Sequence, residues 1–371
     1  MNIQDIDTPA VIIDLDLMER NIAKVASFFK GRECNIRPMA KGHKIPAIAH
    51  KQIEAGARGI CTAKLSEAEV MVSAGIRDIL ITNEIVTSYK IERLAKLSKQ
   101  CDVKVAVDNP KNIEDLSRMA REYGTEIGVL VDVNVGQFGK LDGVLDRCGV
   151  LPGEPAVSLA KKVAETKGLR FLGLMGYEGG MGRFPKFEER KEATHKAMKP
   201  LVDTAKMIRK AGLDVGVVSA GSTGTWNITG DYPGVNEVQA GCYALMDLAY
   251  KRLEGVGMEN ALSVLTTAIS TPYPGKVITD IGQKGTCTAS TGSGGGMPEV
   301  MGITGVEVQK LNVEHCHLLL KNPSKEIKVG DKIQLIPYEV DTTVNLYDKM
   351  YGTRNDRVEV EWEIMARGLS Q

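Results

Sequence analysis

Residues 103–135, VKVAVDNPKNIEDLSRMAREYGTEIGVLVDVNV, contain one complete unit of the pattern that decides the fold. VKVAVD (103–108) and IGVLVDVNV (127–135) are short runs rich in β-branched apolar residues, as in strands buried on both faces. Between them, IEDLSRMAREYG (113–124) has the apolar spacing of an amphipathic helix. A buried strand, a helix and another buried strand imply a parallel pair joined by a helical crossover. Outward from this unit the same rhythm runs from about residue 10 to residue 245, with strand candidates AVIID (10–14), NIRPMA (35–40), GICTA (59–63), DILIT (78–82), LGLMGY (172–177) and GVVSAG (216–221). Helical patterns such as LMERNIAKVASFF, IPAIAHKQIEAG and SEAEVMVSAG separate them. Eight or so units in roughly 250 residues fit a (β/α)8 TIM-type barrel better than an open doubly wound sheet. No GxGxxG follows the first strand, which counts against a dinucleotide fold.

After about residue 250 the rhythm changes. SVLTTAIST, KVITDIG, VEVQKLN, HCHLLLK, DKIQLIPYEV and RVEVEWEIMARG follow one another without helices, broken by Gly, Pro and Asp. They read as an antiparallel β-domain. The expected division is therefore a barrel over 15–250 and a β-domain over 251–371, with GSGGGMP (292–298) as a loop.

Composition narrows the function. The 371 residues carry 47 basic and 47 acidic side chains with no long block of one sign, so neither nucleic acid nor an anionic membrane is an expected partner. No apolar run approaches the roughly 20 residues that cross a bilayer. The start, MNIQDIDTPAVIID, lacks a basic and apolar leader pattern. Seven scattered cysteines without CxxC spacing read as reduced thiols, and a cytoplasmic location is expected.

The candidate chemistry lies at strand ends, where side chains point into a barrel's active-site mouth. RPMAKGHK (37–44) places Lys41 there beside His43 and Lys44. A partly desolvated lysine near other cations becomes neutral and nucleophilic toward an aldehyde; taken alone, it also reads as a surface lysine. VSAGSTGTW (218–226) and VQAGCYALMD (238–247) follow the last barrel strands, the usual phosphate-binding corner. Their small residues let backbone N–H groups approach phosphate oxygens, and Ser222 or Thr223 adds a hydroxyl. Each loop alone also reads as an ordinary Gly-rich turn. Arg147, in DRCGV, can hold a phenolate or carboxylate oxygen, and Tyr177, in GYEGG, can hydrogen-bond a ring nitrogen. For either residue taken alone, a structural role fits at least as well. In IPYEVDTTVNLYD (336–348), Glu339 and Asp341 alternate along an expected strand and so face one side. Two converging carboxylates suit Mg²⁺, Mn²⁺ or Ca²⁺ better than Zn²⁺; a solvated strand face is the alternative. The alternating HCH run (315–317) could contribute a ligand, and a histidine that is structural or supports a ligand is the favoured reading.

Together these stretches resemble the fold-type III pyridoxal-phosphate enzymes, and within them the D-threonine aldolase and D-serine dehydratase family with its alanine racemase-like barrel. The resemblance runs in order along nearly the whole chain: TPAVIIDLDLMERNI, RPMAKGHK, DVNVGQ…RCGVLPG, GLMGYEGG, the GSTGT loop, QAGCYALMD, EHCHL, VGDKIQLIP, TVNLYD and VEVEWEIMARG. It implies that Lys41 forms the Schiff base, Arg147 lies by the cofactor's phenolic oxygen and Tyr177 faces the pyridine nitrogen. Gly221, Ser222, Thr223, Gly241, Cys242 and Tyr243 would cradle the phosphate. It also implies that residues 1–14 join the β-domain, and that the protein is a head-to-tail homodimer with shared active sites.

In the family a divalent metal in the β-domain binds the substrate's β-hydroxyl through a His-x-Cys or His-x-Asp pair. Here Glu339 replaces the histidine, with Asp341 its companion, so Mg²⁺ or Mn²⁺ is expected in place of Zn²⁺. The histidine that follows the tyrosine strand in several relatives is absent, Gly179, Gly180 and Met181 standing there. About eight residues, FGKLDGVL (138–145), are inserted before Arg147. The resemblance points to retro-aldol cleavage of a D-configured β-hydroxy-α-amino acid. Dehydration of a serine or 3-hydroxyaspartate, racemisation, a non-catalytic cofactor-binding protein and a phosphate-sugar barrel enzyme are the alternatives.

Overall fold

A computed structural model of the chain describes residues 1–136, 147–290 and 294–371. FGKLDGVL lies outside the described residues. Two compact units divide the chain, one of residues 25–41, 48–241 and 369–371, the other of residues 1–24, 42–47 and 242–368. The change of unit at 241/242 compares with the expected boundary at 250.

The first unit is an eight-stranded parallel sheet. Its strands are Asn35–Ile36, Ile60–Thr62, Asp78–Glu84, Asp102–Val107, Ile127–Asp132, Leu169–Gly176, Val217–Ala220 and Glu237–Val238. A bridge between Met39 and Cys61 brings the first strand's extension onto the second, so the sheet closes on itself. The opening sequence unit shows why the elements form. Asn109 caps helix Pro110–Glu122 by accepting from the Lys111 N–H at 2.8 Å, and Pro110 presets its first turn. Ile113, Leu116, Met119 and Ala120 form its buried stripe, and Gly124, at φ +61°, ends it. Each large apolar side chain so buried contributes about 1.5–3 kcal/mol.

Inside the barrel, Met39, Cys61, Leu80, Ala106, Leu130 and Met175 form an apolar layer. A polar cluster accompanies it. Arg37 and Glu237, each only 1% exposed, pair at 2.8 Å, and Arg37 also reaches Asp78 at 2.6 Å. Lys104 bonds Asp78 and Asp102, while Ser219 donates to Glu237 at 2.8 Å. Burial would lower the Arg37 pKa, but Glu237 and Asp78 outweigh it and hold the guanidinium charge.

The second unit is built on a nine-stranded sheet, largely antiparallel. Its core gathers Val264, Ala268, Val277, Leu311, Leu318, Ile333 and Leu335 around the buried Cys316. Three readings made from the residue pattern change. Ala10–Asp14, counted by its pattern among the barrel-type strands although the resemblance assigns residues 1–14 to the β-domain, joins this sheet, antiparallel to Leu262–Ser270 and parallel to Lys349–Arg354. The eighth barrel strand is instead Glu237–Val238. Within the loop expected at 292–298, Gly294–Gly295 pairs with Ala289–Ser290.

Candidate active site

Three barrel segments bring sequence-predicted residues to the C-terminal ends of strands. The first strand's extension is held by Arg37 and Met39 N–H groups donating to Val238 and Ala240 carbonyls, at 2.8 and 3.2 Å. It then turns through a single 3-10 turn, Ala40–Gly42, and Lys41 stands on that turn. Lys41 is exposed, so the partial desolvation expected of it is not found.

Strand Leu169–Gly176 delivers Tyr177. The Arg147 guanidinium lies over the Tyr177 ring, 4.6 Å from its centroid. A side chain at Gly179 would approach both groups, with Tyr177 Cε1 at 3.0 Å and the Arg147 Cδ at 3.3 Å from a Cβ there. The chain at Arg147 is tied to the strand before it. Asn134 Nδ2 donates to the Arg147 carbonyl at 2.9 Å, and Val150 pairs with Asp132 and Asn134.

The loop after Val217–Ala220 begins with Gly221 at φ +86°, a conformation that favours glycine. Its amides are largely committed. Gly221 N–H donates to Glu178 at 3.0 Å, Ser222 N–H to Thr225 Oγ1 at 3.0 Å, and Gly241 N–H to Thr223 Oγ1 at 3.3 Å. The Thr223 and Gly224 amides donate to no group among the described residues. Gly241 has no room for a side chain, since a Cβ would meet the Met39 carbonyl oxygen at 2.4 Å.

In the other unit, Cys242–Ala244 forms a 3-10 turn with Cys242 and Tyr243 buried. The Cys242 thiol donates to Asp341 Oδ1 at 3.2 Å, and a Cβ on Gly42 would lie 3.0 Å from the same oxygen. Glu339 and Asp341 do not alternate along a strand, which corrects the sequence reading. Glu339 is the extended residue before the helical turn Val340–Val344, and Asp341 lies in that turn's first residues. Thr343 Oγ1 donates back to the Glu339 carbonyl at 2.7 Å, satisfying a backbone acceptor locally. His317 Nε2 lies 3.1 Å from Asn312 Nδ2, and Cys316 is in the core.

Sequence reasoning passed over several residues. Glu178, between Tyr177 and Gly179, is fully buried and accepts from Gly221 N–H and from Thr225 Oγ1 at 2.5 Å. Burial pushes its carboxyl up, and the two donors work against that shift. Asp247, fully buried, caps helix Leu248–Lys251 through Tyr250 N–H and accepts from Val340 N–H at 3.0 Å, thereby fixing the turn that carries Asp341. Glu84 and Asp132 end two barrel strands and gather with Cys148. Among the described residues this is the one group of three or more metal-ligating side chains with atoms within 4.8 Å of one another. Burial and the neighbouring Glu84 hold Asp132 well above the usual carboxylate range, and burial and Asp108 raise Glu84. Desolvation and Asp132 push the Cys148 thiol up to about 12. These directions favour protons over bare charges in the cluster. The signal available in sequence was an acidic residue ending each strand, DILITNE and IGVLVD.

Residues 13–248 match the family described as "Alanine racemase, N-terminal domain", and residues 261–353 match that described as "Putative serine dehydratase domain". The chain is 36% identical over 369 residues to D-threonine aldolase of Arthrobacter sp., covering 99% of this chain and 94% of the relative. It is 35% identical over 378 residues to 3-hydroxy-D-aspartate aldolase of Paracoccus denitrificans (strain Pd 1222), with the same coverage, 99% and 94%. Among solved structures, D-threonine aldolase from Filomicrobium marinum superposes with a TM-score of 0.93 at 38% identity, over 99% of this chain and 97% of that one. No helix among the described residues is long and apolar enough to cross a membrane.

Proposed function

Because the chain belongs to the alanine racemase N-terminal-domain family, we propose that it is a pyridoxal-phosphate-dependent lyase that cleaves a D-configured β-hydroxy-α-amino acid by a retro-aldol reaction, giving glycine and an aldehyde. The observation that carries the reading at the site is the stacked Arg147–Tyr177 pair in the same barrel unit as a strand-end lysine and a glycine loop with two amides that donate to no group among the described residues. Those residues fit the cofactor group by group. Lys41 offers the amine for the aldehyde, Arg147 a donor for the phenolic oxygen and Tyr177 a hydroxyl for the ring nitrogen. The Thr223 and Gly224 amides, with the Ser222 hydroxyl, offer donors to a phosphate. Bound pyridoxal phosphate supplies an electron-withdrawing ring conjugated to the substrate's Cα.

Glu339 and Asp341 are the residues we propose to hold a divalent ion, Mg²⁺ or Mn²⁺. The two carboxylates are hard ligands, and an ion that retains several waters needs few protein groups. Such an ion would supply positive charge for an alcohol oxygen that is losing its proton. Cys242, donating to Asp341, orients that carboxylate. We further propose a homodimer, to be checked by its mass in solution.

Product analysis on D-threonine, D-serine and 3-hydroxy-D-aspartate tests the reading. Glycine plus an aldehyde is expected; ammonia plus a keto acid would replace cleavage with dehydration. A colourless protein without visible absorbance removable by borohydride would remove the cofactor from the reading altogether.

A further inference from the structure

Among the described residues Glu178 is the one fully buried carboxyl in the barrel unit that contacts the glycine loop, and the proposed reaction assigns it nothing. Its two oxygens serve two different parts of that loop. Oε2 accepts the Gly221 N–H at 3.0 Å, where the chain takes φ +86°, and Oε1 accepts the Thr225 hydroxyl at 2.5 Å. Thr225 Oγ1, its proton turned toward Glu178, accepts from the Ser222 N–H at 3.0 Å, while Thr225 N–H donates to the Ser222 carbonyl at 3.1 Å. Gly221, Ser222 and Thr225 thus hang on one carboxyl. Their bonding leaves the next two amides, Thr223 and Gly224, for a ligand. On the same short segment, Tyr177 stacks with Arg147 and Gly179 packs against both.

We propose that Glu178 is the positioning residue for the phosphate group: it shapes the 221–225 loop and so sets the enzyme's preference for a phosphorylated cofactor over its unphosphorylated analogue. The inference rests on the cofactor reading above. A residue that merely held the barrel together would affect both ligands alike. A residue acting through the loop's amides affects only the ligand that has a phosphate to offer them. Replacing the carboxyl by an amide keeps an acceptor for Gly221 N–H but sets an N–H₂ against Thr225. Thr225 Oγ1 would then face two donors, its own proton would turn elsewhere, and the loop should be held less firmly.

The experiment strips the purified enzyme of cofactor and titrates it with pyridoxal phosphate and, separately, with pyridoxal, following the visible absorbance of the lysine-bound aldehyde. Wild type, Glu178→Gln, Glu178→Ala and Thr225→Val are compared, with circular dichroism to confirm that each is folded. Glu178→Ala is expected to weaken pyridoxal phosphate by about ten- to a hundredfold, the consequence of leaving buried donors unpaired, with pyridoxal changed by less than about twofold. Glu178→Gln and Thr225→Val should show the same selective loss, smaller in size. If Glu178→Ala does not fold, these two carry the comparison. Equal weakening of both ligands, or no change in either, overturns the inference while leaving the cofactor reading standing. A wild-type protein that takes up neither ligand overturns both.

Discussion

In the barrel unit the loop at 221–225 is fixed by bonds internal to the protein: a glycine with positive φ, a fully buried carboxyl and two threonine hydroxyls. In the β-unit Glu339 precedes, and Asp341 stands on, a five-residue helical turn held through backbone groups, by Asp247 on Val340 N–H and by Thr343 on the Glu339 carbonyl. The contrast follows from what each region would hold. A phosphate is the same in every reaction, and its recognition by backbone amides demands one loop shape, so many residues are committed to that shape. A hydroxyl-binding ion is recognised by side chains, and those can be exchanged without altering the turn. The exchange of histidine for Glu339 implied by the family resemblance is of this second kind.

The comparison can be broken from its fixed side first. Lys41→Ala should abolish borohydride-sensitive absorbance and reduce turnover on the order of a thousandfold or more, since no other group in the reading bonds the aldehyde. Residual turnover near wild type would place the amine elsewhere. Next in size is Arg37→Met in the barrel interior. It strands Glu237 without its cation at 1% exposure, and loss of one partner of a buried pair costs about 3–5 kcal/mol. The urea midpoint should fall accordingly, and Arg37→Met/Glu237→Leu should recover part of the loss. On the exchangeable side, Glu339→Ala should lower turnover by about a hundredfold with the chain's melting temperature nearly unchanged. Glu339→His should move the preferred metal in add-back assays from Mg²⁺ or Mn²⁺ toward Zn²⁺. Full activity in chelator, equal in wild type and Glu339→Ala, would take the metal out of the proposal.

What the sequence disclosed divides along similar lines. Long β-branched runs such as those at 103–107 and 127–132 announce barrel strands because burial on both faces leaves no alternation to misread. Glu237–Val238 is two residues long and carries no such run. AVIID looks like a barrel strand and is followed by a helix, Leu15–Phe29, as a barrel strand would be; nothing local states which sheet its edges will join. VDTTV is rich in β-branched residues and reads as strand, yet it folds as a helical turn because Asp247, distant in sequence, accepts from its first amide. Lys41, Arg147 and Tyr177 stand out in the sequence as candidates because reactive residue types at strand ends are uncommon. Glu178 does not, because a glutamate between a tyrosine and a glycine normally belongs to solvent, and only the closed barrel buries it.

The smallest effect expected separates the two kinds of region by pH. Glu84 and Asp132 end strands of the fixed barrel, and the folded protein holds both carboxyls above their ordinary range, burial being the first cause in each. Between the ordinary carboxylate pKa, about 4, and those raised values, the folded chain binds more protons than the unfolded one. The pair's contribution to stability is therefore complete below about pH 4 and is lost as pH rises through the raised values. Asp132→Asn removes one titrating partner and its repulsion of Glu84, so the fall in melting temperature from acid toward neutral pH should be shallower in the variant. Glu339→Gln, on the exchangeable turn, should leave that slope as it is in wild type. If Asp132→Asn and wild type fall in parallel, the carboxyls are not exchanging protons on folding. The cluster would then be an ionised one, open to a cation, and the barrel's rim would belong with the exchangeable region rather than the fixed one.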